Sequence, residues 1–214
     1  MAIKKKPMSK PLVSKTVSKT AGRPAKKPLP LQAFASQKTL REWLTKHHDK
    51  SNGMWLQLAK KDSGVDSPSY KEALDVALCF GWIDGQRGAI DDKTFKQMFT
   101  PRAPRSIWST INREHVARLI ASGEMTEHGL HAVERAKENG QWERAYEGAK
   151  KSTVPEDLQR ALDANPKAKG FFATLSGGNR YAIFFRIQNV KQATTRARKI
   201  SEYVAMLARH ETIY

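Results

Sequence analysis

The stretch from Ala77 to Asn112, ALCFGWIDGQRGAIDDKTFKQMFTPRAPRSIWSTIN, leaves this chain few ways to fold. Upstream of it, Ser69 can cap a helix through about Phe80, with Ala73, Leu74, Ala77 and Leu78 on its apolar face. Gly81 stops that helix. Trp82–Gln86 and Phe95–Thr100 then read as two short strands joined near Asp91-Asp92, and Ser109 can cap the next helix. Helix, strand pair and helix are thus forced into close sequence.

Further signals extend the pattern in both directions. Leu40, Trp43 and Leu44 have helical spacing behind a Ser36 N-cap, and Met54–Ala59 reads as a strand after the turn at 51–53. Ser109 opens a helix to Ala121 with Ile111, Val116, Leu119 and Ile120 as apolar residues. Thr126 opens another to Asn139-Gly140, an ending that suits a left-handed C-cap. Thr153-Val154-Pro155-Glu156 has the form of a capping box, and Asn165-Pro166 starts a further helix. Ser176-Gly177-Gly178 is a break before helices near 180–191 and 194–209. The expected class is α+β: a small antiparallel sheet with packed helices, followed by a mostly helical C-terminal part. The expected divisions are a basic tail at 1–30, an α+β domain at 31–140, a connector at 141–152 and a helical region at 153–214.

Charge separates the tail from the rest. The chain of 214 residues carries a formal +17, and residues 1–30 hold eight Lys and one Arg with no acid. Such a segment buries too little apolar surface to offset its ordering entropy, so it is read as disordered. No signal-peptide-length apolar run follows its lysines, and no apolar run is long enough to span a membrane. The single Cys79 excludes an internal disulfide, sits in an apolar run as a buried hydrophobe would, and fits a reducing, cytoplasmic setting.

Four groups of residues bear on chemistry. Arg102, Arg105, Ser106, Ser109 and Asn112 surround a helix start, where free N–H groups and a partial positive charge favour phosphate or carboxylate. The plain alternative is an N-cap with solvated arginines. Trp82 and Asp84 share a strand face: Trp82 and Trp108 offer rings to a ligand, and Asp84 is either a base or an ion-pair partner of Arg102. His128, His131 and Glu134 read as polar helix surface; HExxH is absent and no metal is expected. No motif calls for a cofactor. Lys4, Lys5 and Lys6 of the tail, with Arg196, Arg198 and Lys199, could hold nucleic acid without sequence selectivity. The oligomeric state is left open.

CFGWIDGQ, FTPRAPRSIWSTIN, ASGEMTEHGLHAVERAKENGQW, VPEDLQRALDANPKAKGFF and TTRARKISEYVAML, in that order, resemble the bacterial family called YdeI/OmpD-associated, or bacteriocin-protection. The resemblance covers about residues 31–210, is sharpest at TPR-x-P-x-S-x-W-S-x-x-N, and implies a role in envelope stress or antimicrobial-peptide protection without fixing catalytic residues. Many antimicrobial peptides are cationic, and a +17 chain repels them at long range. An indirect, non-enzymatic role inside the cell, with an anionic small molecule as ligand, is therefore expected. One rival is an enzyme on a small phosphorylated or carboxylated metabolite, with Asp84 as base. Another is a nucleic-acid-associated protein using the tail and final helices.

Overall fold

The computed structural model describes residues 28–149 and 151–214. The elements run β1 (Leu31–Ala33), α1 (Gln37–His47), β2 (Met54–Ala59), α2 (Tyr70–Cys79), β3 (Trp82–Ala89), β4 (Thr94–Pro101), α3 (Thr110–Ala121), α4 (Glu127–Glu138), α5 (Glu156–Asp163), α6 (Pro166–Thr174), α7 (Gly177–Gln188) and α8 (Ala193–Ala208). The class is α+β with a helical C-terminal part. The tail at 1–27, including Lys4, Lys5 and Lys6, lies outside the described residues.

The sheet has the order β1-β2-β4-β3. β2, β4 and β3 pair antiparallel, while β1 runs parallel to β2, which makes the sheet mixed. Three-residue β1 escapes the sequence reading because it is too short to show alternation. At the hairpin tip, Asp91 Oδ1 accepts from the N–H groups of Lys93 and Thr94, at 2.8 and 2.7 Å, and from Thr94 Oγ1 at 3.0 Å. These bonds hold its carboxyl below the usual carboxylate range, the Lys93 N–H most of all. Between Asp84 and Arg87 the β3–β4 register shifts, and buried Gln97 closes the gap by donating to the carbonyls of Gly85 and Gln86 at 2.9 and 3.2 Å.

Two apolar clusters form. The first is centred on α2, whose Ala73, Leu74, Val76, Ala77, Leu78 and Cys79 are all buried. α2 packs against α1, β3, α3 and α4, and the alternating Met54, Leu56 and Leu58 of β2 complete the core beneath it. Burial pushes the Cys79 thiol up from its ordinary value, which keeps it protonated. The second cluster gathers Leu158, Leu162, Ala168, Phe172, Ile183, Phe184, Ile187, Ile200 and Leu207 from α5 to α8.

Capping decides most element boundaries. Ser36, Ser69, Ser109, Thr126, Asn165 and Ser176 each accept from a backbone N–H of their helix's first turn. Thr153 does not cap α5: the helix starts two residues later, with Pro155 at the N-cap and no side-chain cap bond. Ile111 and Ile120 of α3 are about half exposed, because only Val116 and Leu119 meet the core. Gly81 ends α2 with φ +71, a left-handed conformation that a side chain disfavours. A Cβ on Gly129 of α4 would stand 2.4 Å from the Cys79 carbonyl oxygen, so its hydrogen atom is what lets α4 dock on the end of α2.

Gly129→Ala is therefore expected to destabilise the protein by ~1–3 kcal/mol through overpacking. Gly170→Ala in exposed α6, where a Cβ meets nothing within 4 Å, is expected to stabilise it by ~0.5–1 kcal/mol. Urea denaturation of both variants checks the pair, and equal effects would contradict the close α4–α2 contact.

Candidate functional site

The connector between the two clusters is held by backbone pairing. Tyr146 N–H donates to the Trp108 carbonyl at 2.9 Å, and Thr110 N–H donates to the Tyr146 carbonyl at 3.0 Å. Ser109 thus does two things: its backbone bridges to Tyr146, and its Oγ accepts from Asn112 N–H at 3.1 Å to cap α3. The Tyr146 ring continues the contact into the helical part, edge-on to Phe185 with centroids 5.0 Å apart.

A cleft of about 370 Å³ opens at this junction. Tyr70, Lys71 and Leu74 of α2, Asp84 of β3, and Ile111, Asn112 and His115 of α3 form its walls. Ser109, Tyr146, Gly148 and Tyr181 of α7 close the remaining sides. Junctions between packed units are common places for ligand sites, and this volume suits a small organic molecule.

Its polar groups differ in how well they are satisfied. Asp84 Oδ2 accepts from the Tyr70 hydroxyl at 2.8 Å. Burial, reinforced by that bond to Asp84, raises the Tyr70 phenol well above the usual range; burial alone is the largest cause for Tyr146, and it takes Tyr181 to about 12. All three stay neutral hydrogen-bonding groups at ordinary pH. Asn112 is more than nine-tenths buried, lines the cleft, and its carboxamide makes no hydrogen bond among the described residues.

Arg102, 6% exposed, does not line the cleft, but it lies close enough to Tyr146 and Asp84 to feel their fields. Its guanidinium stacks 3.6 Å over the Trp108 ring, and Nη1 donates to the Ile107 carbonyl at 3.0 Å. Nε and Nη2 are buried with no partner among the described residues. These two N–H groups form the edge that normally grips a carboxylate or phosphate with two parallel bonds. Burial lowers the Arg102 pKa to about 10, against the opposing fields of Tyr146 and Asp84. Holding the charge there costs on the order of 3 kcal/mol. No ion pair joins Arg102 to Asp84 among the described residues, so the structural Asp–Arg pair open to the sequence is not formed.

The eight residues singled out from the sequence therefore separate. Asp84, Ser109 and Asn112 line the cleft, whereas Arg102 and Trp108 stack on each other and do not line it. Trp82 does not reach it: the ring is buried in the first core, edge-on to Trp43, and its Nε1 donates to the His48 carbonyl at 3.1 Å. The strand face shared by Trp82 and Asp84 turns inward at Trp82, so no ring surface is left for a ligand. Arg105 is exposed and Ser106 lies in a turn, its N–H donating to the Ala103 carbonyl; neither lines the cleft.

Sequence reasoning missed Tyr70, Asp75, His115, Tyr146 and Tyr181. Only Asp75 gave a usable signal, a lone carboxylate inside the apolar run ALDVALCF, where burial demands partners. It is 7% exposed and meets His115 Nδ1 and Arg118 Nη2, both at 2.5 Å. Among the basic residues of the last helix, Arg196 is committed to both oxygens of Asp157, at 2.6 and 3.0 Å, and Arg198 to Glu202 at 3.1 Å. Lys199 is exposed.

Residues 151–210 match the family described as bacteriocin-protection, YdeI or OmpD-associated. Residues 32–132 match a second family, described as a domain of unknown function (DUF8412). The bacteriocin-protection match thus covers α5 to α8, a narrower span than the resemblance read from the sequence, and the cleft walls on α2, β3 and α3 fall within the other. From the YdeI/OmpD-associated part, Tyr181 of α7 reaches the cleft. No curated protein and no solved structure matches the chain. Among the described residues no helix is long and apolar enough to cross a membrane.

Replacing Arg102 removes a buried charge that the fold does not satisfy. Arg102→Met is expected to leave stability within ~1 kcal/mol of the parent or to raise it, because an apolar side chain of similar volume carries no desolvation penalty. Chemical denaturation measures this, and a loss of several kcal/mol would show that the guanidinium serves the fold.

Proposed function

We propose that the chain is a non-enzymatic binding protein of the bacteriocin-protection, YdeI or OmpD-associated type, acting in stress protection within the cytoplasm, and that its cleft receives a small anionic ligand. The observation that carries this reading is the Arg102 guanidinium, buried with its Nε and Nη2 unpartnered among the described residues. An unsatisfied buried charge costs stability, and such costs are typically borne where a group serves binding.

Three further features support an anion. The cleft includes the start of α3, where backbone N–H groups and the helix dipole favour negative charge. The buried Asn112 carboxamide supplies a donor that no group among the described residues uses. Lys71 stands at the rim, while Leu74, Ile111 and the tyrosine rings give an apolar wall for the ligand's body. Asp84 is the one carboxylate facing the cleft, and its hydrogen bond from Tyr70 spreads part of its charge. The lone, buried Cys79 accords with a reducing compartment.

Calorimetric titration with sulfate and with benzoate tests the reading. Asn112→Ala is expected to weaken binding about tenfold, the worth of one charge-assisted hydrogen bond, and Arg102→Met to weaken it severalfold by removing a positive charge whose field reaches the cleft residues Tyr146 and Asp84. Asp84→Asn is expected to strengthen it by removing a like charge. Failure of both anions to bind the parent protein, or unchanged affinity in Arg102→Met, would overturn the proposal.

A further inference from the structure

His115 has no role in the anion site described above, yet it lines the same cleft. Its Nδ1 lies 2.5 Å from Asp75 Oδ1. A carboxylate oxygen only accepts, so Nδ1 carries the proton and Nε2 holds the lone pair of the neutral ring. Nε2 makes no hydrogen bond among the described residues. His115 also follows Asn112 by three positions on α3, which puts both on one helix face beside the capped first turn.

The charges around the ring come from every element packed on it. From α2, Asp75 touches it and Lys71 and Tyr70 share the cleft; from α3, Arg118 reaches Asp75 at 2.5 Å. Asp84 of β3, Tyr146 of the connector and Tyr181 of α7 face it across the cleft. Arg118 is spent on Asp75, the three phenols are neutral, and Lys71 is exposed and so well screened. Asp75 and Asp84 both favour an imidazolium. A bound oxyanion on the Nε2 side would add a third negative group favouring it.

We propose that His115 is a ligand-binding residue of the cleft and takes up a proton as the ligand's oxyanion binds, so that a carboxylate or sulfate-like group is seated against an imidazolium at Nε2–H. The proposal rests on the anion reading of the cleft. Proton and anion then bind with positive coupling, and each strengthens the other by the same factor. Affinity rises as pH falls through the histidine range, and Nδ1–H stays with Asp75 in both states.

The experiment is calorimetry on the full chain with sulfate and benzoate, neither of which titrates between about pH 6 and 8, the span around the ordinary histidine value. Each titration is run in two buffers of different ionisation enthalpy, which counts protons taken up. Parent protein is expected to bind about 5–50-fold tighter at the lower pH, with net proton uptake at the higher one. His115→Gln is expected to bind with one affinity at both pH values and no uptake. Should that variant fold poorly, the histidine carbon-bound proton resonances of the parent, followed by pH titration with and without sulfate, report the same coupling. Binding without pH dependence or proton uptake would overturn this inference and leave the anion site standing, as would uptake that persists in His115→Gln. Failure of the parent to bind either anion at both pH values would overturn the two together.

Discussion

The pairing of Ser109 with Tyr146 fixes how the two halves of this protein meet. Two backbone hydrogen bonds lay the connector along the entry to α3. The same Ser109 caps that helix, so the capped N-terminus and the connector's Tyr146 face one space. Tyr146 and Tyr181 both pack on Phe185 of α7, which carries the arrangement into the second core. Without the bridge, α2, β3 and α3 would still form a core, but the cleft would lack a wall.

Around that cleft two buried charges are treated in opposite ways. Asp75 is fully answered, one oxygen by His115 and the other by Arg118, as a carboxylate inside an apolar helix face requires. Arg102 is answered at one nitrogen only, with Trp108 beneath it and two donors left over. The Asp75 group is a closed network that orients His115. The Arg102 group is open at two nitrogens among the described residues.

Much of the architecture was legible because its signals are local. Ser36, Ser69, Ser109, Thr126 and Asn165 mark helix starts through hydroxyl or amide oxygens that reach only three residues ahead. Alternation in Met54–Ala59 gave β2, and Asp91 gave the hairpin tip. Where the reading missed, a longer-range effect intervened. β1 exists because β2 offers it a parallel edge, and Ile111 and Ile120 are exposed because α3 meets its neighbours only along Val116 and Leu119. Trp82 belonged to a core that a strand pattern alone could have placed on either face.

The sequence by itself determined the α+β class, the starts of α1 to α4 and of α6, the buried Cys79 and the stretch from Ala77 to Asn112 as the place where charged and hydroxyl groups concentrate. These follow from caps, periodicity and composition, which act over a few residues. Only the tertiary structure decided which of those groups share a cleft. Tyr70, His115, Tyr146 and Tyr181 come from α2, α3, the connector and α7, and residues so far apart in the chain carry no spacing that predicts their meeting. The open edge of Arg102 among the described residues is likewise a tertiary fact, since only the packed neighbours show which of its nitrogens are bonded.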